Sequence, residues 1–259
     1  MQNHFKILHL CLSRVWRMSW FVNWFDTPYY HDLYRHRDDR EAMLFVTRLR
    51  DYFGWTDTSS VLDVCCGNGR HALSLERMGV SAWGVDLSPS NINHAKGASQ
   101  FPQRWHVSDV RILNMPTQFD GVVNLFTSFG YFDSDEDHAL MLSNIAKQLK
   151  PHGRFVLDFL NVSWVKNHLV ANEVKSGTLT DYHIIRKMDD RWIEKEIAFD
   201  VNGVRHTHAE KVRAFAPAQI EEMLNKAGFE VLNHFGDYSL QAFNTDSPRC
   251  IFVCKLSEI

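Results

Sequence analysis

Chemistry-bearing residues are concentrated between Val61 and Asp86, in the stretch VLDVCCGNGRHALSLERMGVSAWGVD. Gly67 and Gly69 flank Asn68 in a G-x-G turn, where the backbone can bend tightly and come close to a ligand. Asp86 follows about 20 residues on, where an acidic side chain accepts hydrogen bonds from ribose hydroxyls. Asp63, just ahead of the turn, directs a carboxylate to the same place. A carboxylate there repels a pyrophosphate and attracts an ammonium, so the expected ligand carries no phosphate at that point.

These residues need a βαβ scaffold, and the pattern supplies one. Val61 to Cys65 is a short apolar run typical of a buried strand. The glycine turn leads into a helix with Ala72, Leu75 and Met78 on one face, and a second strand ends at Asp86. Ser88 and Pro89 suit the cap and first turn of the next helix, Ser90 to Ala98. A third strand near Arg104 to Val107 precedes Asp109, and Phe119 to Phe126 reads as a fourth. The turn Thr127 to Phe132 should face the ligand, because α/β sheets bind ligands at the carboxyl ends of their strands. Glu136 to Leu149 is an amphipathic helix, and Arg154 to Phe159 is a fifth strand interrupted by Asp158.

The pattern changes after Asn161. Thr178 to Lys187, Trp192 to Val201 and Arg205 to Phe215 alternate polar with apolar residues, and Asn202-Gly203 is a hairpin signal. This predicts an inserted antiparallel sheet that covers the site as a lid and buries one face on the aromatic turn at Phe129, Tyr131 and Phe132. Its histidines, His183, His206 and His208, lack metal-ligand spacing, and no metal site is expected. The chain returns to the main sheet with a helix at Pro217 to Ala227 and strands at Phe229 to Phe235 and Arg249 to Lys255. The divisions expected are a helical segment at 1–55, a ligand-binding core at 56–160, the lid at 161–213 and the end of the core at 214–259.

The glycine turn in its C-C-G-x-G-R-H-A setting, N-L-F-T-S-F-G-Y-F after the fourth strand, and the later strand LKPHGRFVLDFLN together resemble the class I S-adenosylmethionine-dependent methyltransferases. The likeness is strongest from Val61 to Asn161. It implies an α/β fold with a seven-stranded Rossmann-like sheet and helices on both faces, and S-adenosylmethionine as cofactor. It also implies a cofactor-binding set of Tyr30, Asp63, Cys65, Gly67, Gly69, Asp86, Leu87, Asp109, Val110, Asn124 and Phe126. Tyr131 and Asp158 are then the candidates for the catalytic side.

Each role has a structural alternative. Tyr30 either touches the methionine part of the cofactor or packs with Tyr34 on a helix face. Leu87 packs on adenine or is a core leucine, and Asp109 meets the adenine amino group or caps a turn. Tyr131 contacts substrate or merely packs, and Asp158 faces substrate or anchors a loop. The absence of an Asp-Pro-Pro-Tyr or Asn-Pro-Pro-Tyr motif argues against amino-directed DNA methyltransferases.

Composition narrows the partner. The chain has 259 residues with a formal charge of −3, and 23% of them are charged. That balance provides no field for a polyanion, so nucleic acid is not favoured and a small-molecule methyl acceptor is expected. The alternatives are an RNA or protein acceptor, or a domain that binds the cofactor without turnover. Cys11, Cys65, Cys66, Cys250 and Cys254 form no C-x-x-C pair, which suits free thiols in the cytoplasm. No apolar run reaches membrane-spanning length. Ile7 to Leu12 is broken by His9 and does not read as a signal peptide. Oligomeric state is left open.

Overall fold

The computed structural model describes residues 24–35 and 39–257. The sequence before Met18 lies outside them. In chain order the helices are α1 (Pro28–Leu33), α2 (Asp39–Phe53), α3 (Arg70–Arg77), α4 (Pro89–Ala98), α5 (Asp135–Gln148), α6 (Val162–His168) and α7 (Pro217–Lys226). The strands are β1 (Ser60–Val64), β2 (Ser81–Asp86), β3 (Trp105–Val107), β4 (Phe119–Asn124), β5 (Leu149–Leu160), β6 (Asn172–Ser176), β7 (Asp181–Met188), β8 (Trp192–Val201), β9 (Val204–Arg213), β10 (Phe229–Phe235) and β11 (Arg249–Leu256).

Seven strands form one sheet in the order β10-β11-β5-β4-β1-β2-β3, and β6 to β9 form a second sheet in sequence order. In the large sheet β1 lies between β2 and β4 and is parallel to both, whereas β11 runs antiparallel to its neighbours β5 and β10. The chain therefore steps from β1 outward through β2 to β3, then crosses back to β4 on the other side of β1. A crevice opens at such a reversal, at the carboxyl ends of β1 and β4.

Period-two alternation sends successive strand residues to opposite helix layers. Leu62, Val64, Val122, Phe155 and Phe252 meet α5 and α7 through Met141, Leu142, Ile145, Ile220 and Leu224. Val61, Val123, Val156 and Ile251 meet α2, α3 and α4 through Phe45, Leu49, Ala72, Leu75, Ile92 and Ala95. The buried centres of the strands are apolar on both faces, as a sheet covered on both sides requires.

The second sheet does not rest on the aromatic turn as its alternation suggested. Its inner face, with Tyr182, Ile184, Ile197 and Phe199, packs on Trp24 and Leu33 together with Tyr29, Tyr30 and Tyr34. Asp32 of α1 fastens the contact. Its carboxylate accepts hydrogen bonds from the Thr178 and Leu179 backbone N–H groups at 2.8 and 3.0 Å, and from the Tyr182 hydroxyl at 2.9 Å. The Thr178 hydroxyl also donates to it. Burial alone would raise this carboxyl, but the hydrogen bonds, led by Thr178, outweigh it and hold the group down at about 2. The end of β9 reaches the aromatic turn, where the Arg213 N–H donates to the Gly130 carbonyl at 2.8 Å, and Phe215 just beyond it packs on Phe129.

Candidate active site

The crevice at the β1 and β4 ends is a cavity of about 370 Å³. Cys65, Cys66, Gly67 and Asn68 of the glycine turn form its floor, with Arg70 and His71 from the first turn of α3. Asp86, Leu87 and Asn91 line one side, and Asp109 and Val110 extend it. Leu125, Phe126, Ser128, Tyr131 and Phe132 form the opposite side, and Phe25, Tyr30, His31, Tyr34 and Arg35 close the top.

Gly67 has φ of +56°, and a side chain added there would meet no atom within 4 Å. Its open face is the cradle a close ligand needs. Asp86 fixes this turn from the next strand, accepting from the Gly67 N–H and the Ser88 N–H at 2.9 Å each. Burial raises the Asp86 carboxyl, and these two donors partly offset it. Ser88 caps α4 by accepting from the Asn91 N–H at 3.0 Å, leaving Asp86 at the cavity edge.

Across the cavity the backbone is held in an uncommon shape. Phe126 and Thr127 have φ of +63° and +61°, the left-handed region that non-glycine residues avoid. The Arg70 guanidinium lies 4.3 Å above the Phe126 ring centroid. His71 stays neutral, since burial, aided by Arg70, lowers it to about 3.

Of the residues singled out from sequence, Tyr30, Cys65, Gly67, Asp86, Leu87, Asp109, Val110, Phe126 and Tyr131 line the cavity. Asp109 also takes the capping role, accepting from the Arg111 N–H at 2.8 Å and pairing with the Arg111 guanidinium at 2.6 Å. Burial raises the Cys65 thiol well above its ordinary value, so this residue contributes a neutral surface.

Four residues stand elsewhere. Asp63 does not point into the cavity. Alternation places it on the face of β1 that meets α3, where it is 2% exposed. Burial, reinforced by the Asp86 charge, raises its carboxyl to about 8, and its Oδ2 has no hydrogen-bond partner among the described residues. Gly69 is a packing glycine, because a methyl group there would lie 2.7 Å from the buried Trp105 ring. Asn124 lies beneath the cavity and ties β4 to β1, donating to the Val64 carbonyl at 2.9 Å. Asp158 is fully buried and is no substrate-facing acid. It accepts from the Phe126 N–H at 2.7 Å, the Tyr238 hydroxyl at 3.1 Å and the Arg249 guanidinium at 2.8 Å.

Phe25, Arg70 and His71 were not singled out as site residues. Arg70 and His71 had a readable signal, since the first turn of a helix that follows a glycine turn faces the ligand. Tyr34 was read as a packing residue, yet it lines the cavity.

The strand order, with one antiparallel strand next to the edge, and the cavity at its reversal define a Rossmann-like α/β protein with a nucleoside-type site. The family described as "Methyltransferase domain" matches residues 34–234. The chain belongs to that family, and it is an S-adenosylmethionine-dependent methyltransferase. It is 26% identical over 186 residues to the dTDP-3-amino-3,4,6-trideoxy-alpha-D-glucopyranose N,N-dimethyltransferase of Streptomyces venezuelae, covering 68% of this chain and 77% of that one. Identity is also 26% over 219 residues to the glycine/sarcosine N-methyltransferase of Parasynechococcus marenigrum, with 81% and 75% covered. A solved S-adenosylmethionine-dependent methyltransferase from Clostridium acetobutylicum shares the fold, with a TM-score of 0.75 at 21% identity over 88% of this chain and 96% of that one. Among the described residues no helix is long and apolar enough to cross a membrane.

Proposed function

We propose that this protein methylates an amine nitrogen of a small molecule in the cytoplasm. The observation that carries this reading is the cavity itself. At about 370 Å³, it is of small-molecule size, and its top and one side present the aromatic rings of Phe25, Tyr30, Tyr34 and Tyr131. Ring faces attract cations, which suits both a sulfonium and a protonated or methylated amine. The two curated relatives described above are named for methyl transfer to nitrogen. The free thiols of Cys65, Cys66, Cys250 and Cys254 are in keeping with a reducing compartment.

In this reading Asp86 accepts from the ribose hydroxyls and Gly67 gives the cofactor room. Leu87 and Val110 flank the adenine with Asp109, and Tyr30 and Phe126 flank the methionine part. The cofactor brings a methyl group already activated on sulfur. The residues of the chain then mainly hold the acceptor in line and exclude water, and proximity of that kind supplies about 7–11 kcal/mol.

The test is incubation with methyl-labelled S-adenosylmethionine and a set of small amines, including glycine, sarcosine and an amino sugar, beside the matching alcohols. Label on nitrogen is expected. Transfer to the alcohols with the amines left unmodified overturns the amine assignment.

A further inference from the structure

His71 stands in the first turn of α3 and lines the cavity, with only 6% of its surface exposed. Among the described residues its ring has no hydrogen-bond partner. The polar atoms sealed off without a partner, such as Asp63 Oδ2 and His138 Nε2, do not include either nitrogen of His71. Both nitrogens therefore stay accessible, and the surface they reach is that of the cavity. Several other polar groups of the lining are already engaged. Asp109 pairs with Arg111, Asp86 holds the Gly67 and Ser88 N–H groups, and the Ser128 hydroxyl donates to the Leu125 carbonyl at 2.9 Å.

The His71 ring centroid lies 6.5 Å from that of Phe126. In the reading above Phe126 flanks the methionine part of the cofactor, so His71 stands at the end of the cavity where the methyl group is handed over. A nitrogen that attacks there must present a lone pair. A carboxylate beside it would favour the ammonium, which has none. A neutral imidazole offers one hydrogen-bond acceptor and one donor and leaves the amine uncharged. Burial, aided by Arg70, lowers His71 to about 3, whereas an alkylammonium such as that of lysine keeps its proton up to about pH 10. His71 therefore accepts a hydrogen bond without taking the proton.

We propose that His71 is a catalytic residue for methyl transfer to nitrogen: its imidazole accepts a hydrogen bond from the acceptor's N–H and holds the amine as the free base, leaving the lone pair for the methyl group. This rests on the amine reading above and deepens it, because it narrows the acceptors to primary and secondary amines, which keep an N–H. A tertiary amine product has no N–H for His71 and is not methylated further. The ammonium form of the acceptor gives its proton to water before binding. The nitrogen then bonds to the methyl carbon as the carbon–sulfur bond breaks, and the electron pair of that bond goes to sulfur. The product is an ammonium, whose proton is lost to water after release.

The experiment uses the full chain with ¹⁵N in the histidine rings, saturated with S-adenosylhomocysteine at neutral pH. The His71 signals are assigned by their loss in His71→Gln. Aniline, N,N-dimethylaniline and phenyltrimethylammonium are ring-matched probes: an uncharged amine with N–H donors, one without them, and a cation. Aniline is expected to move a His71 ring nitrogen at concentrations at least tenfold lower than either of the others. In His71→Leu that preference in binding, read by calorimetry, should vanish while S-adenosylhomocysteine affinity stays within tenfold, and the amide oxygen of His71→Gln should restore part of it. A preference below tenfold, a stronger response to the cation, no response to any probe, or a preference kept in folded His71→Leu overturns the proposal. Loss of tenfold or more in S-adenosylhomocysteine affinity in folded His71→Leu also overturns it, by assigning the side chain to the cofactor. Amine methylation that continues undiminished in His71→Leu overturns it while leaving the amine reading intact, and methylation of alcohols alone overturns that reading itself.

Discussion

The Asp158 carboxylate receives the Phe126 backbone N–H at 2.7 Å, and this bond holds the left-handed turn that faces the glycine loop. The Thr127 N–H donates to the Asp158 carbonyl at 3.1 Å, and the Arg249 guanidinium bridges the Asp158 carboxylate and the Thr127 hydroxyl, at 2.8 Å to each. Two consecutive non-glycine residues at positive φ are unfavourable by about 1–3 kcal/mol each. The buried pair of Asp158 and Arg249 overrides that preference and sets one wall of the cavity.

Asp158→Ala should therefore destabilise the fold by about 3–5 kcal/mol, because it strands a buried guanidinium and frees the strained turn. The double change Asp158→Leu with Arg249→Met should recover part of that loss by removing the uncompensated charge. Urea denaturation of the three proteins decides it. A loss below 1 kcal/mol in the single variant means the turn is held by other contacts.

Gly67 and Gly69 should separate binding from stability. Gly67→Val puts a side chain into ligand space, and a folded protein with S-adenosylhomocysteine affinity reduced by at least tenfold is expected. Gly69→Ala drives a methyl group into Trp105, and overpacking of this kind costs about 1–3 kcal/mol of stability. Thermal melts and titration calorimetry on both variants reveal any exchange of these two outcomes.

The Asp63 carboxyl, raised to about 8 by burial and Asp86, gives stability a defined pH slope. Its folded value lies above the unfolded value of about 3.9, so its contribution is complete below pH 4 and is lost as pH rises through 8. Asp63→Asn should flatten stability between those limits in the protein without cofactor. Urea midpoints measured from pH 4.5 to 8.5 with an undiminished slope in the variant would assign the titration to another group.

Asp32 acts in the opposite sense and in a separate window. Held down at about 2 by its donors from the inserted sheet, its contribution is present above pH 4 and is lost as pH falls toward 2. Amide exchange at Thr178 and Leu179 should accelerate on acidification in that range. Asp32→Asn should already exchange fast at pH 5. Slow exchange there in the variant places the tether on the apolar contacts of Trp24, Leu33 and Phe199 alone.

The glycine turn and Asp86 were legible because they follow from short, local patterns of backbone need and apolar runs, and the seven-stranded sheet followed from the family resemblance. Residues inside strands were harder to read. A strand buried on both faces gives no alternation to tell which side meets a ligand, so Asp63, Asn124 and Asp158 all looked like site residues while facing helices or neighbouring strands. β6, with sequence NEVKS, escaped notice since its one apolar residue, Val174, is 62% exposed at a sheet edge. The seat of the inserted sheet on α1 depends on a contact across about 150 residues, between Asp32 and Thr178 to Tyr182. No local pattern encodes such a partner.

The most direct test of the site is calorimetric titration of S-adenosylhomocysteine into the unmodified protein and Asp86→Ala, with NAD as the control ligand. The account predicts binding of S-adenosylhomocysteine, none of NAD, and a loss of about 1.5–3 kcal/mol, roughly ten- to a hundred-fold, in the folded variant. Affinity within twofold of the unmodified protein in Asp86→Ala, or tight NAD binding with no response to S-adenosylhomocysteine, contradicts it.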